Sequence, residues 1–131
     1  MGRILGIDYG TSGVGLAISD EHTSFAFPLE ILRNDAFLLE NIVHVVAEKN
    51  ISEVAMGDTR AENGAANRVT PEADAFAQEL ERRAGVRVHV VREAWSSLEA
   101  SRFAPKGRER DDAASAAIIL QRYLDSVPKK P

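Results

Sequence analysis

Three carboxylates stand at the ends of apolar or small-residue segments. Asp8 ends the apolar run Ile4-Leu5-Gly6-Ile7, Glu93 follows the β-branched run at residues 86–91, and Asp112 opens an alanine-rich segment. Alternation places Asp8 among buried apolar neighbours, and a carboxylate there is costly unless a cation or hydrogen bonds compensate it. Three such acids brought to one point would repel and raise each other's pKa values unless cations lay between them. The chain has no cysteine, which excludes disulfides, thiolate metal sites and cysteine nucleophiles. His22, His44 and His89 are scattered without ligand spacing and read as surface or strand-face residues. An all-oxygen set suits hard divalent ions, Mg²⁺ or Mn²⁺. Two such ions about 4 Å apart activate a water and stabilise the leaving oxygen of a phosphodiester, so the expected chemistry is metal-dependent hydrolysis.

The elements that must position these acids follow from periodicity and turn chemistry. Residues 3–9, 14–19 and 25–32 read as strands of an antiparallel meander, with Gly10, Gly13 and Gly15 turning the first into the second. Residues 36–49 carry Phe37, Leu38, Ile42, Val45 and Val46 at helical spacing, with Asn34 or Asp35 as N-cap. A short buried strand at 51–57 leads into a long polar loop at 58–70. Thr70-Pro71-Glu72-Ala73 then starts a helix with an N-cap hydroxyl and a first-turn proline, and Ala84-Gly85 ends it. Residues 86–91 read as a buried strand. After them come a helix at 96–103, a basic loop at 105–110 and a last helix at 111–124.

The order βββαβαβαα predicts an α/β fold, a mixed sheet with helices on both faces. If the first, fourth and fifth strands run parallel, Asp8 and Glu93 share the carboxyl edge of the sheet, where functional groups collect. Asp112, Ser115, Ala116 and Ile119 fall on one face of the last helix, and its small residues allow close approach to the sheet. Asp112 also fits a first-turn acid favoured by the helix dipole.

At 131 residues, 44% of them apolar and 27% charged, the chain reads as one globular domain over residues 1–126 with a frayed tail at 127–131. The absence of a long apolar run or a signal-like N-terminus predicts a cytoplasmic protein. A net charge of −4 argues against holding nucleic acid by bulk charge. The charge is polarised, however, with acids in excess up to residue 99 and bases in excess beyond it. Lys106, Arg108 and Arg110 lie just ahead of Asp112, so a phosphate drawn to them would lie close to a bound metal; the same residues fit a plain solubilising loop tip. Trp95 reads as a core residue more readily than as a base-stacking platform.

The block Gly6-Ile7-Asp8-Tyr9-Gly10-Thr11 with Gly13, Gly15 and Ala17, the acid Glu93, and Asp112 leading into Ala116-Ala117-Ile118-Ile119-Leu120-Gln121-Arg122-Tyr123-Leu124-Asp125 together resemble the YqgF family. These are Holliday junction resolvase-like proteins described as pre-16S ribosomal RNA nucleases. The resemblance implies an RNase H-like fold, a five-stranded mixed sheet with the first strand central and helices around it. It further implies an acidic triad of Asp8, Glu93 and Asp112 that binds Mg²⁺ or Mn²⁺. Asp8 would bridge the ions, with Glu93 and Asp112 completing the two coordination shells. The implied substrate is a ribosomal RNA precursor or branched DNA. From their positions Gly10, Thr11, Arg60, Lys106, Arg108 and Arg110 read as its contacts, and the chain reads as a monomer or homodimer.

The chain departs from that family's usual pattern at Gly57-Asp58-Thr59-Arg60 and at Arg92-Glu93-Ala94-Trp95-Ser96-Ser97, where a basic residue beside the acid is lost. A catalytically silent nucleic-acid-binding protein is therefore a competing expectation. So is a phosphate-binding module of the actin, Hsp70 and sugar-kinase type, which shares the Asp-x-Gly-Thr opening but closes a second domain over its nucleotide.

Overall fold

The structure is a computed structural model and describes residues 2–59, 69–91 and 112–127. Its elements are β1 (Arg3–Tyr9), β2 (Gly13–Ser19), β3 (Ala26–Arg33), α1 (Leu38–Glu48), β4 (Ile51–Gly57), α2 (Thr70–Ala84), β5 (Arg87–Val91) and α3 (Asp112–Ser126). The strands form one sheet in the order β3-β2-β1-β4-β5. β1 pairs antiparallel with β2, and β2 with β3, while β1–β4 and β4–β5 are parallel. The meander, the parallel additions and the central first strand are all as expected. Among the described residues no helix is long and apolar enough to cross a membrane.

The two faces of the sheet differ in kind. Because side chains alternate along a strand, Leu5, Ile7 and Tyr9 of β1 join Val14, Leu16, Val54 and Met56 on one face. There they pack with Leu38, Ile42, Val45 and Val46 of α1 and Ala73 and Leu80 of α2. Burying each large aliphatic side chain in this layer contributes about 1.5–3 kcal/mol, so it carries most of the hydrophobic stabilisation. The other face is richer in small residues: Ile4, Ala17 and Ala55 meet Ala116, Ala117, Leu120 and Leu124 of α3. Here α3 lies so close that a Cβ on Gly6 would sit 2.7 Å from the Leu120 Cβ and 2.8 Å from the Ala116 carbonyl oxygen. Residues 113–120 of α3 are all buried.

The direction of α3 follows from its contacts. Tyr123, near its C-terminus, donates from its hydroxyl to Glu53 Oε1 at 3.0 Å, and Glu53 is the β4 partner of Ile4, near the start of β1. Gly6, further along β1, abuts Ala116 and Leu120. The helix thus runs antiparallel to β1, and its N-terminus lies toward the end of β1 that carries Asp8.

Three local expectations need correction. α1 begins at Leu38, not at 36, because Asp35 spends its side chain on a tight turn, its Oδ1 accepting the Phe37 N–H at 2.9 Å, and no side chain caps the helix. Thr70 is not the N-cap of α2. It lies within the helix and its hydroxyl accepts the Thr59 hydroxyl at 3.1 Å. The 86–91 run is not a buried strand either: β5 is the outermost strand beyond β4, and Val90 is 58% exposed. A continuous β-branched run signals a strand but not how many neighbours it has. The helix and basic loop expected at 96–103 and 105–110, together with Trp95 and the middle of the 58–70 loop, lie outside the described residues.

At the foot of the sheet Glu53 Oε1 also lies 2.7 Å from His89 Nε2, and the His89 and Tyr123 rings stack with centroids 4.9 Å apart. Burial and then the Glu53 hydrogen bond push the Tyr123 phenol up to about 12. Tyr9 is also raised, by burial and by its hydrogen bond to Glu72. These are the chain's two tyrosines. A phenol whose pKa is higher folded than unfolded stabilises the fold fully below its unfolded value. That contribution disappears as the pH climbs to the folded value. The window for Tyr123 is therefore from 10.0, the ordinary value, to about 12. We expect phenolate absorbance of the folded protein to rise at higher pH than that of unfolded tyrosine, and stability to fall across the Tyr123 window. A native-state tyrosine titrating at its ordinary value would contradict both environments.

Candidate active site

Asp8 is the penultimate residue of β1 and is 5% exposed. Alternation puts it on the α3 face with Ile4 and Gly6. Directly opposite it in β2 is Gly15, and the next step of the β1–β4 register beyond Ile7–Met56 brings Gly57 alongside. With Gly13 further along β2, the positions flanking Asp8 on this face carry no side chain. The buried carboxylate is thus set in a strip of the sheet floored by glycine.

The turn that follows is tightly specified. A Cβ on Gly10 would lie 2.5 Å from the Gly13 carbonyl oxygen, so only glycine lets the chain close there. Asn34 pins the turn from the far side of the hairpin: its backbone N–H donates to Ser12 O at 3.1 Å and its Nδ2 to Gly10 O at 2.7 Å. Thr11 and Ser12 are left exposed at the lip. Next to Asp8, Tyr9 projects to the opposite face, packs against Phe76 at 5.3 Å between ring centroids, and donates from its hydroxyl to Glu72 Oε2. Glu72 lies in the first turn of α2, where the helix dipole favours an acid.

The other two acids are approached through their neighbours. Going from Gly6 to Asp8 advances about 6.6 Å along a strand, and going one turn from Ala116 to Asp112 covers about 6 Å along a helix. The antiparallel docking of α3 therefore sets its first residue, Asp112, at the Asp8 end of the sheet. Val91, two residues before Glu93, is held at the same edge through its carbonyl, which accepts the Asp58 N–H at 2.7 Å. Glu93 itself, with Arg60, Lys106, Arg108 and Arg110, lies outside the described residues. Among the described residues no three His, Asp or Glu side chains form a metal-holding group. What is described fits a hard cation: a buried carboxylate oxygen donor in a chain without thiolates. Tyr9, Asn34 and Glu72 bond at this edge of the sheet, which spacing alone does not reveal. Asn34 and the Pro71-Glu72 pair read as ordinary helix-start residues until the fold brings them to this edge.

Over residues 2–126 the sequence matches the family model described as "RuvX: Holliday junction resolvase". The chain belongs to the RuvX family. This is the same family as YqgF, which the sequence motifs resemble. RuvX relatives include a protein of Chlorobaculum tepidum, 37% identical over 138 residues that cover 95% of this chain and 94% of that one. Another, from Bordetella petrii, is 35% identical over 127 residues, covering 95% and 96%. Both carry the name "Putative pre-16S rRNA nuclease". Among solved structures, RuvC of T. thermophilus in complex with a Holliday junction substrate superposes with a TM-score of 0.63 at 14% identity, covering 95% of this chain and 94% of that one. The fowlpox virus Holliday junction resolvase gives 0.61 at 13%, covering 95% and 99%. At these identities the likeness is one of fold, and the RuvX chain has the RNase H-like fold that its sequence leads one to expect.

Proposed function

We propose that this RuvX chain is a divalent-metal-dependent endonuclease that hydrolyses phosphodiester bonds in the 5′-end maturation of pre-16S ribosomal RNA in the cytoplasm. The observation that carries the reading is Asp8, a carboxylate 5% exposed at the carboxyl edge of the central strand and flanked by glycines. Asp8, Glu93 and Asp112 would hold Mg²⁺ or Mn²⁺. When bound, such ions supply an activated water and neutralise the leaving oxygen. The chain's own part is to hold Asp8 near the end of β1 and to leave room beside it for a sugar-phosphate backbone. Gly10 and Thr11 at the lip, and Arg60, Lys106, Arg108 and Arg110, would contact substrate phosphates and set its register without reading sequence. The relatives' names favour RNA; branched DNA is the substrate of the second reading, which the family description favours.

The deciding experiment incubates the purified protein with a 5′-extended 16S RNA fragment and with a DNA four-way junction, in Mg²⁺, Mn²⁺ or EDTA. We expect cleavage of the RNA that EDTA abolishes. Cleavage of the junction alone would move the assignment to DNA resolution, and cleavage of neither would remove the nuclease reading.

A further inference from the structure

The strand ends at the candidate site are braced from the side of the sheet opposite to Asp8, and the brace is concentrated in the first turn of α2. Tyr9, the residue after Asp8, is 7% exposed and donates to Glu72 in that turn. Thr59, just beyond the end of β4, donates to Thr70 at 3.1 Å in the same turn. Asn34 completes the set by holding the carbonyls of Gly10 and Ser12. Hence the end of β1, the chain leaving β4 and the β1–β2 turn are all tied by side chains that come from elsewhere in the chain. The Asn34 N–H bond to Ser12 continues the β2–β3 pairing, but the side-chain bonds from Tyr9, Thr59 and Asn34 Nδ2 are not needed to propagate the sheet, because the β1–β2 ladder already runs through Tyr9–Val14. What they fix is the last step of β1, whose neighbouring residue presents its carboxylate to the other face.

We infer that Tyr9, Glu72 and Asn34 are positioning residues, a brace that holds the Asp8 carboxylate and the Gly10–Gly13 turn in the geometry needed to bind a divalent cation and align a phosphodiester. The inference rests on the metal-centre reading of Asp8. Two physical points support it. A strand end is the part of a sheet that opens at lowest free energy, so the orientation of a terminal carboxylate needs outside support. Partners that orient a metal-binding carboxylate at one remove typically change metal affinity or activity by about 10–100-fold when removed. Tyr9 suits the role: its ring is locked against Phe76, and its hydroxyl reaches a charged acceptor across the layer.

The test uses the full chain in the variants Tyr9→Phe, Glu72→Ala, Glu72→Gln and Asp8→Asn, each assayed well below its own Tm. Binding of Mn²⁺ alone is followed by electron paramagnetic resonance, and kcat and KM are measured on the RNA fragment. Tyr9→Phe and Glu72→Ala are each expected to weaken Mn²⁺ binding by roughly tenfold. They should lower kcat by a similar factor with KM little changed, and a chain carrying both Tyr9→Phe and Glu72→Ala should be no worse than either single variant. Glu72→Gln keeps an acceptor oxygen for the phenol and should recover most of the loss, which a merely destabilising change would not. Wild-type Mn²⁺ binding in Tyr9→Phe, alongside loss of binding in Asp8→Asn, would overturn the brace while leaving the metal centre standing. Undiminished binding in Asp8→Asn would instead remove the metal centre, and the brace with it. If Glu72→Ala fails to fold, Tyr9→Phe and Glu72→Gln still decide between these outcomes.

Discussion

Asp8→Asn is expected to abolish cleavage, lowering kcat/KM by at least about a hundredfold, while the protein folds normally. The amide has nearly the size and shape of the carboxylate, so packing against the glycine-floored strip is preserved; what disappears is the charge that a hard cation requires. Losing a direct ligand should cost more than losing an orienting partner, whose removal typically costs about 10–100-fold. The stability signature is as informative as the rate. A ligand that binds only the folded state stabilises it by about 2.7 kcal/mol at a hundred times its Kd, which for a domain of this size raises Tm by roughly 10 °C. Mn²⁺ should therefore raise the Tm of the wild-type protein and leave that of Asp8→Asn unmoved. The metal-free variant should melt close to the metal-free wild type, because the amide keeps the size and shape of a carboxylate that is 5% exposed. Retained cleavage in Asp8→Asn would take Asp8 out of the mechanism.

The burial of Asp8 is legible in the sequence because strand alternation is a local property: Leu5 and Ile7 on one side of β1 dictate that Gly6 and Asp8 share the other. The β1–β2 hairpin is legible for a similar reason, since Gly10 and Gly13 meet within one turn. The residues that escape have partners far along the chain. Tyr9 bonds Glu72 across 63 positions, and the Thr70 hydroxyl serves Thr59, which lies 11 positions earlier. From the sequence both Thr70 and Asp35 look like helix caps, because that is what such residues do when nothing else claims them. β5 departs from expectation because its β-branched residues report strand propensity, whereas burial depends on where the strand falls in the sheet. Gly6 is the clearest case of a residue whose position is local and whose reason is not. It stands in the opening motif, yet what demands glycine there is α3, more than a hundred residues on.

That reason makes Gly6→Ala the second large effect. Its new methyl would fall 2.7 Å from the Leu120 Cβ and 2.8 Å from the Ala116 carbonyl oxygen, against ordinary carbon contacts of about 3.5–4.0 Å. Neither neighbour can step aside by changing rotamer, because a Cβ and a carbonyl oxygen move only with the helix that carries them. α3 must lift by most of an ångström, loosening Ala116, Ala117, Leu120 and Leu124 from Ile4, Ala17 and Ala55 together. We expect a loss of about 3 kcal/mol and a Tm lower by roughly 10 °C. Gly85→Ala is the control: its methyl would meet nothing within 4 Å, so only the left-handed backbone at φ 70° opposes it, at a cost of about 1–2 kcal/mol and none in activity. Leu120→Ala should not rescue Gly6→Ala, since alanine keeps the obstructing Cβ. The same lift displaces the N-terminus of α3, one turn from Ala116, and with it Asp112. A misplacement of about 1 Å at a reacting centre can cost on the order of a hundredfold in rate. Gly6→Ala should therefore lose far more activity than its fraction unfolded explains when assayed well below its Tm. A variant that loses stability but keeps full activity would show that α3 can move without disturbing the site, and Asp112 would then not belong to it.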